Sequence, residues 1–372
     1  MAAQSLQKLF RFAVPPRTCL ASALLALTIF TFIPARCAEG PAVRYEASHD
    51  AMGTLFTIVA YGHDARFLAQ VVNEAFDEID NLDAQMSNYK PASELSRINR
   101  DAAREAVLVE PKLFQLIADS IRGSEETGGA FDISVGPLMK AWGFFRGQGR
   151  VPTAQELSRV MKRVGYYHVQ LDPENCTIRF DVEGLELDLG GVAKGYAVDR
   201  AVDILRANGV AVALVSSGTS SIYALGAPPG ERAWRVTLRD PFHADKAGDV
   251  VYLKNYSFSA SGNYEKFFTL GGKTYSHIMD PRTGRPVENM LSAAVLAPQG
   301  VDSDMLSKLY VLGVEGSRKV LARHPRLIVI FYRPAGTKQK YERVILRSPS
   351  FDLPAGSVAE VAGTNPHLPS SE

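Results

Sequence analysis

The sequence predicts an α+β fold: a mixed, largely antiparallel sheet with helices packed against it. Stretches of period-two and period-3.6 hydrophobicity both occur, but they do not alternate regularly as βαβ units would require. Two of the period-two stretches turn back on themselves at turn residues, as antiparallel hairpins do. Composition is ordinary for a globular chain, with 372 residues, 46% hydrophobic and 22% charged, enough for one large domain or two intimate ones. There is no internal repeat.

The first 38 residues form a separate segment. Lys8, Arg11 and Arg17 make a positive n-region, and residues 19–33 (CLASALLALTIFTFI) form an apolar run ended by Pro34. Ala35 and Cys37 supply the small residues expected before a cut ahead of Ala38, the pattern of an export signal. The run is shorter than the ~20 apolar residues of a membrane span; retention as an N-terminal membrane anchor is the alternative. Arg36 is wrong for a lipid-modification box at Cys37.

Residues 45–61 alternate into a strand pair around Met52-Gly53-Thr54. Leu68, Val72, Ala75, Ile79, Leu82 and Met86 recur at helical spacing, ending near Ser87 before a polar stretch at 88–96. A second helix opens at Pro111, a favoured first-turn residue, turns Leu113, Leu116, Ile117 and Ile121 inward, and stops at Gly128-Gly129. Thr153-x-x-Glu156 is a capping box for a third, with Leu157, Val160, Met161 and Val164 inside. Residues 169–181 read as a hairpin turning at 172–175, 185–189 as a strand, and 194–207 as a helix stopped by Asn208-Gly209. Strands are expected at 211–216, 234–239, 250–258, 275–279, 293–296 and 326–332, and helices at 303–312 and 317–323. Residues 349–372 lack periodicity and are expected to be a disordered tail.

The net charge of +1, with no basic block beyond the N-terminus, argues against nucleic acid as a partner. The three cysteines, Cys19, Cys37 and Cys176, support neither a disulfide framework nor a cysteine metal site.

Two blocks carry the chemistry. Residues 187–201 (LDLGGVAKGYAVDRA) end a strand, turn on Gly190-Gly191 and begin a helix, with Asp188 before the turn and Lys194 after it. A helix start suits phosphate through its N–H groups and dipole; a tight turn with a surface lysine has the same composition. Residues 275–286 (YSHIMDPRTGRP) place His277 in a strand beside a turn, where it is either a base or phosphate ligand or a core histidine bonded to backbone. Residues 259–266 (SASGNYEK) and 129–137 (GAFDISVGP) look like small-residue loops carrying an aromatic; in the second, Phe131 would stack and Asp132 accept. Asp304, in DSDMLSK, is either a metal ligand or an ordinary first-turn acid.

Jointly these motifs resemble one family. MGT at 52–54, SNYKPASELSRIN at 87–99, GGAFDISVGPL at 128–138, LDLGGVAKGYAVDRA at 187–201, SASGNYEKFF at 259–268, SHIMDPRTGRP at 276–286 and D-x-L-S at 304–307 occur in the order seen in ApbE-type flavin transferases. The resemblance covers residues 45–335 and implies an ApbE-like, T-fold-related α+β domain. It implies a periplasm-facing enzyme that binds FAD and Mg²⁺ and attaches FMN to a Thr or Ser hydroxyl of a target flavoprotein, releasing AMP. Hydrolysis of FAD to FMN and AMP is the alternative use of the same site.

By resemblance, Met52, Tyr89, Ala130, Phe131, Asp132, Gly190, Tyr196, His277 and Ile278 contact FAD. His277 is the expected base, with Asp188 and Lys194 completing the catalytic set. The Ala193 carbonyl, Asp304 and Ser307 are the implied Mg²⁺ ligands. Two positions depart from the pattern. Lys308 stands where the family has a metal-ligating Thr; it either points away or enters the site in place of the cation, which would leave a non-catalytic FAD-binding relative. The family's Asn-x-Gly-Gly stretch is here Ser216-Ser217-Gly218-Thr219-Ser220-Ser221.

Overall fold

The computed structural model describes residues 42–243, 247–336 and 340–362. The expected signal or anchor at 1–38 lies outside them. Val43–Ala51 and Thr54–Gly62 form the expected hairpin, turning on Met52 and Gly53. Both turn residues have positive φ (50° and 68°), the geometry a two-residue hairpin turn requires. This hairpin begins an eight-stranded sheet in which every neighbouring pair is antiparallel. Beyond it lie, in spatial order, Val212–Ser217, Ser221–Leu225, Tyr256–Gly262, Ser292–Ala297, Ile328–Pro334 and Tyr341–Arg347.

Eight helices are described: α1 (Ala65–Met86), α2 (Glu94–Asp101), α3 (Pro111–Glu126), α4 (Gly136–Ala141), α5 (Ala154–Met161), α6 (Ala193–Ala207), α7 (Gly300–Leu306) and α8 (Leu309–Leu321). Asp64 caps α1 by accepting from the Arg66 and Phe67 N–H groups. The inner face of α1, from Leu68 to Met86, shares one core with α3, α6 and the first strands. A second core, with Ala293, Val295, Leu306, Leu309 and Phe331, lies between α7, α8 and the later strands. A third core lies between the large sheet and a three-stranded sheet of Trp234–Arg239, Ala247–Lys254 and Val358–Val361. Ser292–Ala297 is buried along its whole length, which explains its small, apolar sequence SAAVLA.

Several sequence expectations are corrected. Residues 185–189 form no ladder strand: the Leu187 N–H and carbonyl bond the Asn99 side chain, and the Asp188 N–H goes to the Ile133 carbonyl. Residues 250–258 belong to two strands, split at Asn255 (φ 51°), whose Oδ1 accepts from the Gly226 N–H. The stretch 88–96 holds the start of α2, capped by Ser93 and anchored by buried Leu95 and Ile98. The expected tail is folded over its first part: Val358–Val361 pairs with Ala247–Lys254 and buries Ala359 and Val361. Residues 363–372 lie outside those described.

Helices α6 and α7 cross with backbone against backbone. A Cβ at Gly195 would collide with the Gly300 carbonyl and stand 2.7 Å from Asp304 Cβ. Across this contact each helix caps the other. Asp199 on α6 accepts from the Gly300 and Val301 N–H groups (2.7 and 2.8 Å), and Asp304 on α7 accepts from the Gly195 N–H (3.0 Å). Gly195→Ala is therefore expected to destabilise the fold by about 3 kcal/mol through overpacking against backbone that cannot move aside. Thermal unfolding checks this; an unchanged Tm would mean that the helices separate freely.

Candidate functional site

One cavity of about 610 Å³ opens where the hairpin turn, the loops after α1 and α3, the turn before α6, residues 265–281 and α7–α8 converge. Its size is in the range of a nucleotide or cofactor pocket. Met52, Tyr89, Ala130, Phe131, Asp132, Asp188, Gly190, Ala193, Lys194, His277, Ile278 and Asp304 all line it. The fold thus brings together residues up to 250 positions apart, and twelve of the fourteen expected site residues meet there.

The cavity lining combines two kinds of side chain. Met52, Met86, Phe131, Val135 and Met139 supply an apolar surface, and Tyr89 stacks on Phe145 at 4.4 Å, nearly parallel. That surface suits a planar, apolar ring. Lys194, Lys266, Lys308, His277 and Glu265 supply charge and polarity, with Lys308 and Phe131 meeting at the Gly191 turn. Three ammonium groups around one carboxylate and one imidazole suit an anion.

His277 sits in the break between Lys273–Ser276 and Met279–Asp280, not within a continuous strand, so its backbone leaves the ladder. Its Nδ1 lies 3.1 Å from the Lys266 carbonyl. A carbonyl only accepts, so Nδ1 carries the proton and Nε2 bears the free lone pair. Burial, with nearby Lys194, Lys266 and Lys308, pushes its pKa down to about 4 against the pull of that hydrogen bond. The imidazole is neutral at neutral pH. Glu265 faces Nε2 at 4.0 Å, and burial raises its carboxyl above the usual range despite Lys194 and Lys308. Phe144 meets the imidazole edge-on at 6.5 Å.

Asp188 Oδ1 accepts from the Gly190 N–H at 2.8 Å and fixes the glycine turn ahead of α6. Asp132 is buried; its oxygens accept from the Ser134 and Tyr166 N–H groups, so it ties the 129–137 loop to the turn that follows α5. Burial raises its pKa. The Ser216–Ser221 loop still turns, with Gly218 at φ 57°, and sends Ser220 to the cavity.

Two expected site residues do not reach the cavity. Tyr196 follows Gly195 on α6 and packs half-buried against the main core, near Arg200. Ser307 is buried behind the cavity, its hydroxyl 2.6 Å from the Asp304 carbonyl and 2.7 Å from Ser261 Oγ. Glu265, Lys266 and Phe144 were not anticipated. The first two lie in a motif already recognised (SASGNYEKFF), and Phe144 lies in the aromatic-glycine stretch WGFFRGQG.

Lys308 enters the site. Its Nζ donates to the Asp304 carbonyl (3.0 Å), Asp304 Oδ1 (3.2 Å) and Ser307 Oγ (3.0 Å). The other Asp304 oxygen accepts from the Gly195 N–H. Every side-chain oxygen in the implied Mg²⁺ set is therefore engaged, and an ammonium stands among them. Among the described residues no cluster of three or more His, Cys, Asp or Glu offers another place for a metal. This arrangement does not fit a divalent cation, which takes oxygen ligands and is repelled by an adjacent ammonium.

Comparison with known proteins agrees with the geometry. The family model described as "ApbE family" matches residues 52–331. The FAD:protein FMN transferase of Salmonella typhimurium is 31% identical over 279 residues, covering 73% of this chain and 79% of its own. The Klebsiella pneumoniae protein of that name is 32% identical over 310 residues, covering 82% and 92%. Among solved structures, the ApbE protein of Thermotoga maritima superposes with a TM-score of 0.72 at 30% identity, covering 83% of this chain and 98% of its own. The flavin transferase ApbE from Vibrio cholerae gives 0.72 at 28% identity, covering 84% and 99%. The chain belongs to the ApbE family.

Proposed function

We propose that this chain transfers the FMN half of FAD to a Ser or Thr hydroxyl of a target flavoprotein and releases AMP. We place the reaction outside the cytoplasm, with the protein exported or held at the membrane by residues 1–38. The observation that carries the reading is a neutral imidazole set among three lysines in a cavity whose lining also carries apolar and aromatic side chains. A flavin dinucleotide has that same polarity: planar rings and a dianionic pyrophosphate.

The chain's own groups account for each requirement of the step. Lys194, Lys266 and Lys308 neutralise charge on the pyrophosphate, where charge also builds in the transition state. His277 Nε2 takes the proton from the acceptor hydroxyl as its oxygen bonds to the flavin-side phosphorus. The bond from that phosphorus to the bridging oxygen breaks, and the electron pair leaves with AMP. Glu265 faces the imidazolium that forms. Tyr89, stacked on Phe145, and the apolar lining side chains hold the ring system.

The test is incubation of protein starting at Glu39 with FAD and a peptide carrying a Thr/Ser-Gly-Ala-Thr/Ser-like site. In-gel flavin fluorescence on the peptide, with AMP in equal amount, is expected. AMP without labelled peptide would assign water as the acceptor, making the chain an FAD pyrophosphatase. FAD bound and unchanged would make it a non-catalytic relative.

A further inference from the structure

We infer that the Lys308 ammonium is a built-in cation standing where this family's implied divalent metal would sit, so that the chain binds FAD without a divalent ion. The inference rests on FAD being the ligand of the cavity, and deepens that reading.

The geometry is specific. An ammonium has three N–H donors, and Lys308 has three oxygen partners: Asp304 Oδ1, the Asp304 carbonyl and Ser307 Oγ. Asp304 and Ser307 are two of the three residues expected to hold the metal. The lysine stem reaches this point over the glycine turn, where a Cβ at Gly191 would stand 3.2 Å from Lys308 Cε. The glycine leaves the room that the stem uses. The side chain is 20% exposed, on the cavity wall, so its charge faces the ligand space as well as its anchors.

Charge balance agrees. A lysine supplies one positive charge where a magnesium ion would supply two, and Lys194 and Lys266 line the same cavity. Both act on His277 and Glu265 together with Lys308, so the three ammoniums share one electrostatic neighbourhood. A divalent ion entering among the same oxygens would meet an ammonium within a few ångströms and be repelled by it.

Quenching of flavin fluorescence measures FAD affinity in EDTA and in millimolar MgCl₂, for the native chain and for Lys308→Thr. Native affinity is expected to agree between the two conditions. Lys308→Thr is expected to bind about 10–100-fold more weakly in EDTA, the loss of a positive charge beside the pyrophosphate, and to recover when Mg²⁺ is added. Native binding that requires Mg²⁺ would overturn the inference while leaving the flavin-transfer reading intact. Unchanged affinity of Lys308→Thr in EDTA would also overturn it, assigning Lys308 a purely structural role. No FAD binding by the native chain in either condition would overturn both. The native comparison needs no variant, so it decides the matter even where Lys308→Thr fails to fold, which circular dichroism would show.

Discussion

His277→Ala is expected to lower acceptor labelling by roughly 10²–10⁴-fold, the usual contribution of a positioned general base, while FAD affinity stays near that of the native chain. The split follows from the state of the imidazole. Its Nδ1 proton is held by the Lys266 carbonyl, and its Nε2 faces the cavity unprotonated. Being neutral at working pH, it adds no charge to the binding of a dianion; its role falls in the step where the hydroxyl loses its proton. A variant that lost FAD affinity and rate together would recast His277 as a binding residue. The pH profile gives an independent check. A base with its pKa pushed down to about 4 is deprotonated throughout the neutral range. The acid limb of kcat/KM for FAD should therefore fall near pH 4, not near the ordinary histidine value of ~6.5. A limb near 6.5 would mean that the imidazole is less buried than its surroundings here imply.

Asp304→Ala is expected to have the second largest effect, on stability and activity together. The carboxylate accepts from the Gly195 N–H at the start of α6 and from the Lys308 ammonium. It is almost fully buried. Its removal leaves the Gly195 N–H without its acceptor and the partly buried Lys308 ammonium without its carboxylate, at a cost of about 2–3 kcal/mol. Asp304→Asn keeps an oxygen for the Gly195 N–H and is expected to regain much of that stability without regaining transfer. Thermal unfolding and acceptor labelling of the pair separate the two roles. Equal labelling by the native chain and Asp304→Asn would show that the position of Lys308 does not matter to the reaction.

The legible parts of the fold were those specified by local rules. Thr153 caps one helix and Pro111 opens another. The Met52-Gly53 turn and the 169–180 hairpin are likewise local. Local signals failed where backbone partners lie far away in sequence. Residues 185–189 look like a strand because Leu185, Leu187 and Leu189 are buried, yet their backbone is satisfied by Asn99 and Ile133. Tyr341–Arg347 was not anticipated because, as an edge strand, it has a charged, half-buried sequence (YERVILR). Residues 303–312 read as one helix, but Asp304 and Ser307 lie at the end of α7 while Lys308 starts α8, which breaks again at Gly313.

Ordered motifs pointed to residues that the fold gathers at one cavity. Motifs do not give side-chain direction, however. Tyr196 and Lys194 are two residues apart on α6, and only Lys194 reaches the cavity. Whether Lys308 points away or inward could not be read from spacing either. That depends on the room left by Gly191 and on the orientation of Asp304, which is itself fixed by capping α6.

The most direct test of the account is the intact mass of an acceptor protein after incubation with this chain and FAD, followed by location of the added group. The account predicts a gain equal to FMN less water, on a single Ser or Thr, with one AMP released for each acceptor modified and nothing added when His277→Ala replaces the native chain. An unmodified acceptor with no AMP, under conditions where FAD is bound, would contradict it.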